Sequence, residues 1–383
     1  MKRPARHAVA ADTVFDGAAL HRDHAVIIDG GTIAALMPRR DVPRGMPVQD
    51  LPEGMWLAPG FIDVQVNGGG DVLFNDTPTV DGIGAIVAAH RRFGTTALLP
   101  TLISDTADKM RAAAAAVEAA VPSMPGVLGI HFEGPFLSPE RAGVHDARMI
   151  RPSTPDDLEF LTAPHSGIRL VTLAPERVPA GFIRGLSEAG VRVALGHSMA
   201  TYAETRAALA EGLTGFTHLF NAMRPLASRE PGPIAAALET PAAFYGLIVD
   251  GEHVAPPMLR LALRGLGQPM LVTDAMPPVG GTRTDFMLGD KRISLRDGRL
   301  TTEDGTLGGA ALDMASAVRN CVRQLDLPLP DALRLASAAP AAFLGLAGRL
   351  GHLRPGHRAD IVALDPAEIR VSATWVAGEA SRP

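Results

Sequence analysis

Four residues of types that ionise or ligate stand where apolar runs end. They are Glu133 in His131-Phe132-Glu133-Gly134-Pro135, His197 in Leu195-Gly196-His197-Ser198, His218 in Thr217-His218-Leu219-Phe220-Asn221, and Asp274 in Val272-Thr273-Asp274-Ala275. Gln65 and Asn67 close a further run that starts at Phe61. An unpaired charge beside a buried run is costly unless a metal or a hydrogen bond compensates it. Two imidazoles and one carboxylate make a three-ligand catalytic metal site with one position left for water. A divalent ion held there lowers the pKa of water to about 7 and polarises a carbonyl, chemistry suited to cleaving an amide at neutral pH. Such a cleavage also needs a group that takes the water proton and returns one to the leaving amine. Asp274 suits both steps in turn.

A lone histidine in an apolar strand is more often structural than a ligand. The coincidence of four such residues at the ends of apolar runs points to a site, so the elements that carry them matter. The runs read as strands over Phe61 to Val66, Thr95 to Leu99, Val127 to Phe132, Ile168 to Leu173, Val191 to Leu195, Gly215 to Leu219, Phe244 to Val249 and Met270 to Thr273. Between them lie amphipathic stretches such as Asp81 to Phe93, Asp108 to Val121, Tyr202 to Glu211 and Pro257 to Leu263. About eight strand-helix alternations predict a (β/α)8 TIM-type barrel, whose catalytic groups sit at the C-terminal ends of its strands. A doubly wound sheet would carry a glycine-rich turn opening a helix. The nearest candidate, Asn67-Gly68-Gly69-Gly70, is followed by Asp71 and no helical pattern. Asn67 fits a turn as well as a site. By the period of two, His131 faces the same side as Glu133, where a partner of the ligands and a purely structural residue are both possible readings. His90, His165, His352 and His357 lie on helix or loop patterns and are expected at the surface.

The β-like segments before Leu57, with a hairpin signal at Asp29-Gly30-Gly31, are expected to join strand-like segments at the C-terminus. The expected division is a small β-sandwich domain from 1–58 plus 354–383, and a catalytic barrel over 59–353 with a β-hairpin insertion around 284–302. The chain has 383 residues, 36 Lys plus Arg and 41 Asp plus Glu, for a formal charge of −5. That balance excludes the basic footprint of a nucleic-acid-binding domain. The single cysteine, Cys321, cannot form an internal disulfide and points to a reducing compartment. The basic start MKRPAR precedes an apolar run that Asp12 cuts short, so no signal peptide and no membrane segment are expected. The expected location is cytoplasmic. With 4% aromatic residues, the chain suits many short buried strands and close-packed helices rather than ring-stacking platforms.

The strings His131-Phe132-Glu133-Gly134-Pro135-Phe136, Ala194 to Ser198, Thr217-His218-Leu219-Phe220-Asn221-Ala222-Met223, Asp250-Gly251-Glu252-His253-Val254 and Leu271 to Ala275 resemble the N-acetylglucosamine-6-phosphate deacetylases of the amidohydrolase superfamily. The likeness runs from Ala58-Pro59-Gly60 to Ala359-Asp360, and the Thr217 to Met223 string followed by Arg229-Glu230-Pro231-Gly232 is its most specific part. The resemblance implies hydrolysis of the acetamide of N-acetyl-D-glucosamine 6-phosphate. It implies that Glu133, His197 and His218 hold one divalent metal per subunit, zinc by its ligand set, with iron, cobalt or manganese fitting the same atoms. Asp274 becomes the general base and acid, and His145 contacts the substrate and polarises the acetyl carbonyl. Asn221 and the backbone of Ala222 contact the phosphate region. Arg229 and His253 bind phosphate from the neighbouring subunit of a homodimer; a planar guanidinium fork suits that anion.

Many amidohydrolases carry His-x-His after the first strand and bind a second metal there. This chain has Gln65 and Asn67, and amides are poor ligands for zinc-like ions, so a mononuclear site is expected, with Gln65 hydrogen-bonding the nucleophilic water. Two other readings stand beside the first. One keeps the mechanism and changes the substrate to N-acetylgalactosamine 6-phosphate or another N-acyl amine. The other is an inactive scaffold, which the presence of all four catalytic residues argues against.

Overall fold

The computed structural model describes residues 6–381; Met1 to Ala5, the start of the basic N-terminal run, and residues 382–383 lie outside it. Eight parallel strands form the barrel: β1 (Phe61–Val66), β2 (Thr95–Ile103), β3 (Gly129–Glu133), β4 (Ile168–Leu173), β5 (Arg192–Leu195), β6 (Gly215–Phe216), β7 (Phe244–Leu247) and β8 (Gln268–Leu271). They are paired in chain order from β1 to β8. The ring closes only at its upper end, where Asp274 N donates to Gln65 O at 3.1 Å and Asn67 N to Ala275 O at 2.9 Å. Below, the seam is pinned by a buried carboxylate. Asp63 accepts the Thr273 hydroxyl at 2.5 Å and the Thr273 and Gln65 backbone N–H groups at 3.3 and 3.2 Å.

The connecting helices start on side-chain caps that the sequence supplies. Thr79, Thr106, Thr201 and Asp313 each accept a backbone N–H of the first turn, worth about 0.5–2 kcal/mol per cap. β6 and β8 end earlier than the apolar runs predict. His218 and Asp274 take left-handed backbone conformations, at φ 34° and 53°, which break the ladder. His90 and His357 are not surface residues. His90 falls on the buried stripe Ile83, Ile86, Ala89 of the helix Val80–Arg91 and meets Gly68 O at 2.9 Å through Nε2. His357 is buried against Ala347 O.

The two chain ends form a single mixed sheet. Trp56–Pro59 pairs with His7–Phe15 on one side and with Ile361–Asp365 on the other, and Trp375 packs with Val9, Val26 and Ile28 in the sheet's own core. The hairpin at Asp29-Gly30-Gly31 is present, with both glycines at positive φ. The insertion is a three-stranded meander rather than a hairpin: Asp285–Leu288, Lys291–Arg296 and Arg299–Thr301. Its second turn, Asp297-Gly298, is left-handed at both residues and returns the chain for a third strand. Phe286, Leu288, Ile293 and Leu300 of this meander pack on Ile103 and Met276 above the barrel.

Inside the barrel, polar groups form a satisfied chain. The Thr217 hydroxyl donates to Thr172 Oγ1 at 2.6 Å, which donates to His131 Nε2 at 2.7 Å, and His131 Nδ1–H donates to Val64 O at 3.0 Å. His131 is thereby a neutral structural link, its pKa pushed down to about 4 by burial.

Burial pushes the Asp63 carboxyl up to about 7 against the bonds it accepts. A raised folded-state pKa favours folding below about pH 4, and that contribution is lost as pH rises through 7. Thr273→Val, which removes one donor from this carboxylate, is expected to cost about 1–3 kcal/mol in denaturant unfolding at pH 8 and less at pH 5, where the group is protonated. Thr273→Ser should restore most of the loss. An equal cost at both pH values would contradict a charged pin.

Candidate active site

Glu133, His197 and His218 come from the ends of β3, β5 and β6 and meet at one point. Glu133 Oε1 lies 3.2 Å from His197 Nε2 and 3.0 Å from His218 Nε2, and the two Nε2 atoms are 3.1 Å apart. All three are buried. His197 and His218, at φ 48° and 34°, turn their rings into the ring of strands through a conformation that non-glycine residues adopt at a cost of order 1–3 kcal/mol. His197 Nδ1 donates to Arg141 O at 2.7 Å, since a carbonyl can only accept. His197 Nε2 therefore carries a lone pair aimed at a carboxylate oxygen and another imidazole nitrogen.

Glu133 Oε1, His197 Nε2 and His218 Nε2 face one another, and a cation among them would satisfy all three at once. Their 3.0–3.2 Å separations also approach the edge, about 3.3 Å, of a tetrahedron of ligands with bonds near 2.0 Å. The donor set and its spacing fit a divalent metal. With protons in the cation's place, burial pushes Glu133 up, but hydrogen bonds from the two imidazoles hold it well below the usual carboxylate range. Burial likewise pushes His218 down, and the Glu133 carboxylate more than offsets that.

A cavity of about 210 Å³ opens beside this cluster, lined by Asn67, His145, Asn221, Ala222, His253, Asp274, Met276 and Leu307 among others. Asp274 Oδ1 accepts from Asn67 Nδ2 at 2.7 Å and Gln65 Nε2 at 3.1 Å, so Oδ2 is the free oxygen. Burial, then the charge of Glu133, pushes Asp274 up to about 6. Asn67 is thus more than a turn residue. Gln65, expected to hydrogen-bond the nucleophilic water, also turns its amide nitrogen to carboxylates: Nε2 lies 3.2 Å from both Glu133 oxygens.

The His145 ring lies 4.4 Å from that of His197, centroid to centroid, tilted by 53°. Ser104 at the end of β2 was not singled out in the sequence, yet its backbone N–H points at His145 Nδ1 at 3.4 Å and its hydroxyl lies 2.8 Å away. A backbone N–H only donates, so Nδ1 accepts and the ring proton sits on Nε2. Burial, with His197 next, pushes His145 down to about 3, which keeps it a neutral donor.

The remaining predicted residues divide. Asn221 and Ala222 line the cavity on a stretch where Phe220 and Ala222 are left-handed. His253 also lines the cavity of its own chain, whereas the expectation places it in a neighbouring site. The loop after β7 returns across the same mouth, and Asp250 fastens it, accepting His253 Nδ1–H at 2.6 Å and the N–H groups of Glu252 and His253 at 2.9 Å. Arg229 is exposed, lies outside the cavity lining and makes no hydrogen bond or ion pair among the described residues.

The sequence profile of the amidohydrolase family matches residues 56–382. N-acetylgalactosamine-6-phosphate deacetylase of Shewanella sp. (strain ANA-3) is 43% identical over 326 residues, covering 84% of this chain and 82% of that protein. The crystal structure of N-acetylglucosamine-6-phosphate deacetylase from Pasteurella multocida superposes with a TM-score of 0.95 at 34% identity, covering 99% of this chain and 100% of the other. A mutant of the Mycobacterium smegmatis N-acetyl-D-glucosamine-6-phosphate deacetylase, in complex with N-acetyl-D-glucosamine-6-phosphate, matches with a TM-score of 0.89 at 35% identity over 98% of this chain and 99% of that one.

His218→Ala is expected to weaken divalent-metal binding by about 100-fold or more, beyond the roughly 10- to 100-fold that altering a ligand's supporting partner costs. Metal content of the purified variant, by plasma mass spectrometry, checks this, with circular dichroism to show an intact fold. Wild-type metal content would remove His218 from the ligand set.

Proposed function

Because this chain belongs to the amidohydrolase family and is a sugar-phosphate N-acetyl deacetylase, we propose that it hydrolyses N-acetyl-D-glucosamine 6-phosphate to D-glucosamine 6-phosphate and acetate. The observation that carries this reading is the convergence of Glu133, His197, His218 and Asp274 on one cavity that His145 also lines. Glu133, His197 and His218 would hold one divalent ion, zinc by its donor set. When bound, such an ion lowers the pKa of water to about 7 and polarises the acetyl carbonyl.

The chain's own residues do the rest. Asp274 Oδ2 takes a proton from the attacking water as its oxygen bonds to the carbonyl carbon. Asn67 and Gln65, by donating to Oδ1, keep Oδ2 turned to the cavity. His145 Nε2–H donates to the carbonyl oxygen as negative charge builds there. The carbon–nitrogen bond then breaks, Asp274 returns the proton to the amine, and acetate and amino sugar leave. The phosphate is assigned to Asn221, the backbone of Ala222 and His253, with Arg229 reaching in from the second subunit of a homodimer. Exposure of an unpartnered Arg229 outside its own cavity supports that arrangement.

The second reading is the galacto epimer, favoured by the 43% identity to the Shewanella sp. enzyme. A coupled deacetylase assay on both epimeric 6-phosphates, with metal quantified in the same preparation, decides between them. The unphosphorylated sugar should be much the poorer substrate in the wild type, and Arg229→Ala should narrow that gap. Equal activity on phosphorylated and free sugar would refute phosphate recognition.

Asp274→Asn should lower kcat by about 10²- to 10⁴-fold while leaving KM near the wild-type value, since a general base acts in the transition state. The wild type should lose kcat/KM below an acid limb at or under pH 6, because protonated Asp274 cannot accept the water proton and a bound cation further favours the carboxylate. Near-normal turnover in Asp274→Asn would remove the base assignment.

A further inference from the structure

The segment 141–148 supplies two things to the site: the Arg141 carbonyl that sets the His197 tautomer, and His145 itself. It passes close under the ligands; a Cβ added at Gly143 would stand 3.5 Å from His197 Cε1. No strand or helix longer than one turn organises it. The three-stranded insertion grips it instead. Lys291 Nζ, at the first turn of the meander, lies 3.5, 3.2 and 3.5 Å from the carbonyl oxygens of Gly143, Val144 and His145. One residue earlier, Asp290 accepts Arg148 Nη2 at 2.6 Å, and the same guanidinium is bound to Asp146 at 2.6 Å. Val144 packs into the apolar cluster of the insertion.

We propose that Asp290 and Lys291 form a latch, and that Lys291 is a positioning residue for His145 in the deacetylation. An ammonium group has three donors and no acceptor, so it can order three successive carbonyls that have no other donor near them. Each contact alone is an exposed polar contact of small worth. Together they fix the backbone of a segment whose side chain must meet the substrate carbonyl within a fraction of an ångström, where a misplacement of about 1 Å can cost 10²-fold in rate. The inference rests on the deacetylase reading for its kinetic consequence, and on geometry alone for the ordering of the segment.

The test uses the metal-loaded wild type with Lys291→Met, Lys291→Arg and Arg148→Gln. In Lys291→Met, amides 143–149 should exchange with deuterium about 3-fold or more faster in the absence of substrate. On whichever 6-phosphate the wild type uses, kcat should fall about 10-fold with KM within about 2-fold of wild type. Lys291→Arg should recover both, and Arg148→Gln should move both in the same direction by less. Unchanged exchange in Lys291→Met overturns the latch, and faster exchange with unchanged kcat overturns the positioning role. A rise in KM at constant kcat would make Lys291 a substrate ligand and overturn it too. If the wild type deacetylates neither epimer, the substrate reading falls, while the exchange comparison still decides the latch.

Discussion

Everything at the mouth of this barrel answers to one constraint. A carboxylate and two imidazoles are pressed within 3.2 Å of one another in a buried position, with their lone pairs converging. A cation among them would satisfy all three at once, and the neighbouring features hold them in place. The left-handed residues at the ends of β5 and β6 turn the rings inward, and a backbone carbonyl sets one tautomer. The amide of Gln65 holds Glu133 and Asp274 apart and in line. Beneath, the Thr217, Thr172 and His131 chain occupies the barrel interior with groups that satisfy one another and place no free charge near the ligands. At the seam, Asp63 and Thr273 draw β1 and the chain after β8 together, so that Asp274 stands beside Glu133, His197 and His218.

The barrel and its four chemical residues were legible because apolar runs of strand length ended repeatedly on ionisable groups. That pattern depends on neighbours along the chain. What escaped depends on neighbours across it. Ser104 looks like any serine opening a loop until the fold sets His145 against it. The carbonyl of Arg141 leaves no trace in a side-chain pattern. His90 reads as exposed by residue type, whereas its place on the apolar stripe of its helix buries it. The loop that carries His253 is fastened by Asp250 through a contact three residues apart that no strand or helix pattern announces.

The family resemblance supplied substrate contacts that spacing alone could not, and the geometry refines them. Gln65 and Asn67 stand where related enzymes bind a second metal. Here the Gln65 amide bridges Glu133 and Asp274, and the Asn67 amide adds a second donor to Asp274 Oδ1. Asp274 Oδ2 accepts no hydrogen bond among the described residues, on a residue that lines the cavity. That leaves one carboxylate oxygen beside the cluster open to a proton.

The sheet built from both chain ends also dictates an order of assembly. The strand Trp56–Pro59 is flanked on one side by His7–Phe15, made before it, and on the other by Ile361–Asp365, made only after the whole barrel. Until Ile361–Asp365 emerges, the inner edge of Trp56–Pro59 presents unpaired backbone groups, and the barrel's first strand follows directly from it. Long-range pairings of this kind are slow to form, and open edges invite association. The nascent chain thus carries an adhesive edge while the barrel is made, and Ile361–Asp365 acts as its cover. Loss of that strand would strip the cover, and its first symptom would be aggregation, with Glu133, His197 and His218 themselves intact in sequence.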